Sequence, residues 1–184
     1  MINKLSTKQK LLALLVVASA GAGIYLYFAT KKTQAPLQIT NVWKGVEPGK
    51  DSTKNVISKL GEPLTKETLA NNNELYTYDS SNTYQPHRLY FSESKLDLVI
   101  ERDVSTSSGE LSKYLTQFGQ PEAILPNQQS PVFYLYVYPS RGIAINANKN
   151  DGAVREVWYF PSTTLDQFKT TYSIQIGQPA EEKF

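Results

Sequence analysis

Cysteine is absent from this 184-residue chain, histidine and methionine occur once each, and tryptophan occurs twice. Without cysteine there is no disulfide framework, no zinc–thiolate site and no lipid-modified cysteine of the bacterial lipoprotein kind. A lone imidazole, His87, is too small a ligand set for a zinc site of the usual kind. A serine–histidine–acid triad would have to use that same residue, and no G-x-S-x-G elbow accompanies it. His87, between Pro86 and Arg88, reads instead as a polar strand residue. No cofactor and no metal are expected.

Positive charge is also scarce where it would matter. The chain as a whole carries +2, but all five lysines of its first 32 residues lie there without an acid. Beyond residue 32, fourteen Lys and Arg face seventeen Asp and Glu, a net charge of −3. A mildly acidic domain with no basic cluster makes a poor partner for a phosphate backbone, so nucleic-acid binding is set aside.

What is there begins with an apolar run. After "MINKLSTKQK", with Lys4, Lys8 and Lys10, the stretch "LLALLVVASAGAGIYLYFA" passes from Leu11 to Ala29 without a charge, and Lys31 and Lys32 close it. As a helix at about 1.5 Å per residue it reaches roughly 28 Å, near the thickness of a hydrocarbon core. Tyr25, Tyr27 and Phe28 stand where interfacial aromatics belong. Ala18-Ser19-Ala20 satisfies the small-x-small pattern of a cleavage site, yet the run continues nine residues further, as a retained anchor does. Lys10 and Leu15 stand where a pilin-type processing site would need a small residue and a glutamate. The expectation is a basic cytoplasmic tail over 1–10, a transmembrane anchor over 11–30 and a tether over 31–40. Three lysines before the span and two after it bias the N-terminus inward, leaving the rest of the chain extracytoplasmic.

The remainder carries an internal echo. "KLGEP" at Lys59–Pro63 returns as "QFGQP" at Gln117–Pro121, an offset of 58 for the glycines. At the same offset "LYTY" from Leu75 meets "FYLY" from Phe133, and "KLDLV" from Lys95 meets "AVREV" from Ala153. Thr53, Val56, Ile57 and Leu60 form one apolar stripe at helical spacing, and Leu111, Tyr114, Leu115 and Phe118 form another. Asp51 or Ser52 can cap the first helix, and Ser107 with Glu110 make a capping box for the second. Gly61 and Gly119 supply left-handed exits, with Pro63 and Pro121 blocking continuation.

Strands follow each helix: "ELYTYDS" and "HRLYFSESKLDLVIERDV" after the first, "VFYLYVYP", "GIAINAN" and "AVREVWYF" after the second. Asn150-Asp151-Gly152 marks a hairpin. "STTLDQFKTTY" reads as a closing helix with Leu165, Phe168 and Tyr172 on one side, and 173–184 as a flexible tail. The expected fold is α+β: a first helix-plus-meander repeat over 41–102 and a second, with the closing helix, over 103–172. The two copies imply either one continuous sheet or two lobes meeting across a concave surface.

The run "VEPGKDSTKNVISKLGEP" resembles the beginning of BamE-like (SmpA/OmlA) envelope domains: a turn with glycine, a Thr-Lys start, valine at the helix centre and a Leu-Gly-x-Pro exit. The tandem arrangement looks like that of the beta-lactamase inhibitor protein, and the resemblance spans about 41–161. It implies a binding and assembly module of the cell envelope rather than an enzyme. This chain departs from the pattern in lacking the lipidated cysteine and carrying an apolar anchor instead.

Candidate sites are few. Glu93, Asp97 and Glu101, four residues apart, could share a strand face, as paired carboxylates for hydrolysis would require, although an exposed face explains them equally well. "NKNDG" at 148–152 offers oxygen ligands but lacks the acidic repeat of a calcium loop. Twelve tyrosines suit half-buried pleated surfaces. Tyr84, Tyr90, Tyr134, Tyr136, Tyr138, Trp158 and Tyr159 cannot all face a core, because strand neighbours point to opposite sides. Tyr, Trp and Arg concentrate binding energy at interfaces. Tyr84, Arg88, Tyr136, Tyr138, Arg141, Arg155 and Trp158 are therefore the candidate contacts for an envelope or membrane protein partner. The functional expectation is a membrane-anchored, non-enzymatic interaction or assembly module. The alternative is a sensor or inhibitor domain binding a soluble enzyme or a small ligand.

Overall fold

The computed structural model describes residues 41–81, 84–102, 110–127 and 130–172. Among these residues three α-helices, α1 (Thr53–Leu60), α2 (Glu110–Phe118) and α3 (Leu165–Thr171), accompany eight strands. The strands are β1 (Thr65–Thr68), β2 (Glu74–Tyr78), β3 (His87–Ser92), β4 (Lys95–Glu101), β5 (Ala123–Pro126), β6 (Phe133–Tyr138), β7 (Ile143–Asn148) and β8 (Val154–Tyr159). All join one antiparallel sheet in the order β1-β2-β3-β4-β8-β7-β6-β5.

That sheet corrects the expected fold. Two tandem helix-plus-meander units behind a transmembrane helix are not what is observed; the chain is mostly β, organised on a single eight-stranded sheet. β4 and β8 pair directly, with Val99 opposite Tyr159, Ile100 opposite Trp158 and Glu101 opposite Val157. The ladder therefore runs unbroken across the boundary proposed at 102/103. The core crosses it too: Leu98 and Ile100 pack in one cluster with Leu135, Val137, Trp158 and Phe160. Backbone groups at β4 and β8 that would be open edges in separate units satisfy each other here, which removes two exposed edges. Among the described residues no helix is long and apolar enough to cross a membrane. The anchor expected at 11–30, its flanks 1–10 and 31–40, the 173–184 tail and the Ser107 cap lie outside the described residues.

Each helix is held by its apolar stripe. Val56, with Ile57 and Leu60, packs α1 against Trp43, Leu89, Phe91 and Val99. Leu111 and Phe118, with Tyr114 and Leu115, pack α2 against Ile143, Ile145 and Val157 on the same side of the sheet. Ser52 is the residue that caps α1, its Oγ accepting from the Asn55 N–H at 3.3 Å. Asp51 does different work: it accepts from the Glu47 N–H at 2.7 Å and from Lys59 Nζ at 2.8 Å, tying the preceding loop to the helix. Gly61 has φ 85° and ψ −174°, a positive-φ exit outside the left-handed helical region that was expected.

The opposite face of the sheet is covered by α3. Thr164 and Gln167 form its capping box, and Phe168 and Tyr172 bury against Phe160. A bulge in β4, where Tyr90 faces Leu98 but Phe91 faces Leu96, lets Asp97 stand out of the ladder. α3 covers only the Leu98 and Phe160 end of this face. No described helix covers the Arg102 and Glu156 end.

Candidate functional site

Strand registry assembles the uncovered end. Arg88 lies opposite Ile100, Ile100 opposite Trp158 and Trp158 opposite Ala144, one row across four adjacent strands. Asn146 and Glu156 face each other in the next row. With side chains alternating along each strand, Arg102, two residues beyond Ile100, continues the same face. The result is a groove of about 500 Å³ whose floor includes Ile100 and Trp158. Its rim is the short turn around Ala70–Asn72 on one side and Arg155 and Asn127 on the other. A volume of this size falls in the range of small-ligand sites.

Glu156 is the organising group. Its carboxylate is only 6% exposed and accepts from Arg102 Nε at 2.9 Å, Asn146 Nδ2 at 3.1 Å and Trp158 Nε1 at 3.2 Å. A buried carboxylate is tolerable only when paired and hydrogen-bonded, and here three donors converge on it. That demand also orients Asn146: its amide nitrogen must face the carboxylate, so Oδ1 faces away, buried and without a hydrogen-bond partner. Arg102 spends one N–H on Glu156, and its terminal nitrogens bond to no described residue. Arg88, half-buried in β3, makes no ion pair with a described residue. Three guanidinium groups and one carboxylate give the lining a net charge of +2, in a part of the chain that is −3 overall.

His87 supports the site from the other side of the sheet. It is a strand residue, the first of β3, and fully buried, its ring edge-on to Trp43 at a centroid distance of 4.9 Å. Nδ1 accepts the Arg102 backbone N–H at 3.1 Å, which fixes the chain where it leaves β4.

The expected contact residues separate. Arg88, Arg155 and Trp158 line the groove. Trp158 is 3% exposed, so only an edge of its ring is offered. Arg155 also lies over the Phe133 ring at 5.5 Å. Tyr136 and Tyr138 belong to the α2 face, where Tyr138 is buried, stacks on Phe118 at 5.2 Å and donates its hydroxyl to the Gly119 carbonyl at 3.0 Å. Arg141 covers that same Phe118 ring from solvent at 5.5 Å. Tyr84, in the turn before β3, is 93% exposed and is not part of the groove lining. Among the described residues one tyrosine, Tyr90, lines the groove, whose charged lining is three arginines and Glu156.

The three acids do not converge. Glu93 sits in the β3–β4 turn with φ 51°. Asp97, displaced by the bulge, accepts from the Tyr172 hydroxyl at 3.4 Å on the α3 side, and burial raises its carboxyl above the ordinary range. Glu101 accepts from the Tyr159 hydroxyl at 2.7 Å on the α1–α2 side. The bulge breaks the period of two that spacing by four relied on. In "NKNDG" the Asn148 and Asp151 side-chain oxygens accept from the Asn150 and Ala153 N–H groups, so they serve the hairpin turn.

Arg102, Asn146 and Glu156 were not among the expected contacts. Their signal was present in part: Asn146 interrupts the apolar run "GIAINAN" between buried Ile145 and Ala147, and Glu156 precedes the buried pair Val157 and Trp158 in "VREVWYF". A polar residue inside such a run is read easily as outward-facing, and only the pairing of β7 with β8 shows that both share the face of Trp158.

No family model and no curated protein matches this chain. Among solved structures it is similar to a DUF4309 family protein (YjgB) from Bacillus subtilis, with 12% identity over 64% of this chain and 83% of that one and a TM-score of 0.45. It is also similar to an extracellular protein containing a SCP domain from Bacillus anthracis, with 15% identity over 77% of this chain and a TM-score of 0.46. A cysteine-rich secretory protein from Staphylococcus aureus matches with 11% identity over 76% of this chain and a TM-score of 0.43. The chain spans about half the length of these last two, 52% and 54%.

Proposed function

We propose that this chain is a non-enzymatic binding module of the bacterial cell envelope, anchored through residues 11–30 and holding a partner protein at the groove around Arg88, Arg102 and Arg155. The reading rests on one observation: three guanidinium groups gather over a single concave patch of an otherwise acidic domain. Arginine is enriched at interfaces and pairs well with planar acceptors in partly desolvated sites. The charge pattern around 11–30 supports an N-terminus inside and an extracytoplasmic domain. A second reading, a sensor or inhibitor domain taking a small ligand or an enzyme's loop, is favoured by the size of the groove.

The test is photo-crosslinking in intact membranes from a probe residue placed at Asn71 on the groove rim of the full chain. A discrete partner adduct, lost when Arg88→Glu is added, is the expected result. Adducts unchanged by Arg88→Glu, or only self-adducts, would sink the proposal.

A further inference from the structure

Granting that reading of the groove as the binding surface, we infer that it receives the free carboxylate end of an extended peptide. The carboxylate lies on Arg88 and Arg102, and the last amide N–H donates to Asn146 Oδ1. Two features carry the assignment independently.

The first is the pair of guanidinium groups. Arg88 is cross-strand to Ile100, and Arg102 follows two residues later on that strand, a diagonal relation that sets the backbones roughly 7–8 Å apart. Both side chains reach the same volume. Among the described residues Arg102 is held by Glu156 through Nε alone, so its planar fork is pre-oriented with its terminal N–H groups bonded to none of them. A carboxylate is the acceptor that a fork of this geometry matches in a bidentate manner.

The second is the orphan acceptor. Asn146 is 3% exposed and lines the groove, with Oδ1 bonded to nothing. Leaving a buried carbonyl oxygen unsatisfied is costly, and a ligand donor that reaches it relieves that cost. Arg102 and Asn146 are bonded to the two oxygens of one carboxylate, which holds both side chains beside Glu156, with Asn146 Oδ1 sealed beneath the groove surface until a donor displaces what covers it. The occupant must therefore present an anion and a donor side by side. A peptide terminus does so. Inorganic phosphate keeps a hydroxyl donor near neutral pH, but the Glu156 carboxylate beneath opposes its second negative charge, and it has no apolar group to lay on the groove floor. Trp158, Ile100 and Leu75 supply apolar surface for the terminal side chain.

Calorimetric titration of the full chain in detergent micelles with four probes tests this: N-acetyl-alanyl-alanine, its C-terminal amide, the depsipeptide with ester oxygen replacing the last N–H, and inorganic phosphate. The free acid should bind, with amide and ester each about tenfold weaker or more, since a charge-assisted hydrogen bond accounts for that ratio. Arg88→Gln and Arg102→Lys should weaken the acid about tenfold without changing the amide, in proteins whose thermal midpoints show an intact fold. Equal binding of acid and amide, equal binding of the ester, phosphate as strong as the peptide, or no binding of the acid would each overturn the inference. If that happens while the Arg88-dependent crosslink persists, the groove remains the binding surface and only its ligand class is wrong. If the crosslink also ignores Arg88, both fall.

Discussion

Arg102 and Glu156, 54 positions apart in sequence, are joined by a 2.9 Å bond from Nε to Oε1, with side chains 17% and 8% exposed. This ion pair lies under the groove, at the junction of the two central strands. Removing one partner of such a pair strands the other in poorly hydrated surroundings, whereas replacing both with apolar groups can be close to neutral. Glu156→Ala should cost about 3–5 kcal/mol, because Asn146 Nδ2 and Trp158 Nε1 lose their acceptor together with Arg102. Glu156→Leu combined with Arg102→Met should recover the part of that loss due to the unpaired guanidinium, while Asn146 Nδ2 and Trp158 Nε1 stay without their acceptor. Urea unfolding of the single and double variants decides it; equal losses in both would mean that the pair is not the source.

Tyr78 and Tyr138 serve the two helix exits in the same manner. Tyr78 donates to the Gly61 carbonyl at 3.1 Å and Tyr138 to the Gly119 carbonyl at 3.0 Å, each satisfying backbone just past a helix end. Burial pushes the Tyr78 hydroxyl up to about 12 and raises that of Tyr138 as well. Tyr78→Phe and Tyr138→Phe should each cost about 1 kcal/mol. They sit in different core clusters, bordered in common by Tyr159, and their hydroxyls bond to different carbonyls, so the double variant should show close to the sum. Strong non-additivity would reveal coupling between the halves of the sheet that these contacts do not predict.

How legible this was in the sequence varied with the physical signal. Helices α1 and α2 could be read because Val56 and Leu60, or Leu111 and Phe118, repeat at helical spacing before a glycine and a proline. The edge strands β1 and β5 could not. Thr65–Thr68 is exposed at every position and carries no alternation, and Ala123–Pro126 is four residues ending in proline. The single sheet was hidden for a different reason: nothing local in "LDLVIE" or "VREVWY" says which strand will be its neighbour. Registry also decides the site, since Arg88, Ile100 and Trp158 are adjacent only through two long-range pairings.

Two aspartates should titrate with opposite effects on stability. Burial alone would raise the Asp51 carboxyl, but the Lys59 ammonium and the Glu47 N–H outweigh it and hold it below 3.8. A lowered folded value means that the stabilisation is present above 3.8 and lost as pH falls through the folded value. Asp97 is raised by burial, which the Tyr172 hydroxyl only partly offsets. Its ionisation therefore opposes folding, so stability is gained on protonation and falls as pH rises from 3.8 through its folded value. Asp51→Asn should destabilise at pH 7 by about 2 kcal/mol, since the bonds lost are to charged and backbone donors. Asp97→Asn should stabilise at pH 7, with both effects shrinking towards pH 3. Denaturant midpoints at pH 3, 5 and 7 measure this, and a stabilising Asp51→Asn or a destabilising Asp97→Asn would contradict the signs.

Gly61 and Gly142 both have positive φ, 85° and 66°, yet their substitution should differ sharply. A Cβ on Gly61 meets nothing within 4 Å, so Gly61→Ala carries only the conformational cost of that backbone state, about 1–2 kcal/mol. At Gly142 an added Cβ would run into the Phe160 carbonyl oxygen, with Asn41 Cβ also close at 3.1 Å. That carbonyl accepts from Asn41 Nδ2 at 3.1 Å, and the Phe160 N–H donates to the Gly142 carbonyl at 2.9 Å. The obstacle is backbone in a hydrogen-bonded junction between the end of β8 and the start of β7, not a side chain that can rotate away. Relief requires shifting Phe160, which packs on Phe168 and Tyr172 of the α3 region. Gly142→Ala should therefore lose more than about 3 kcal/mol, since overpacking adds to the positive-φ cost. Thermal unfolding of the two variants side by side checks it; similar midpoints would mean that the β7–β8 junction yields more easily than its contacts imply.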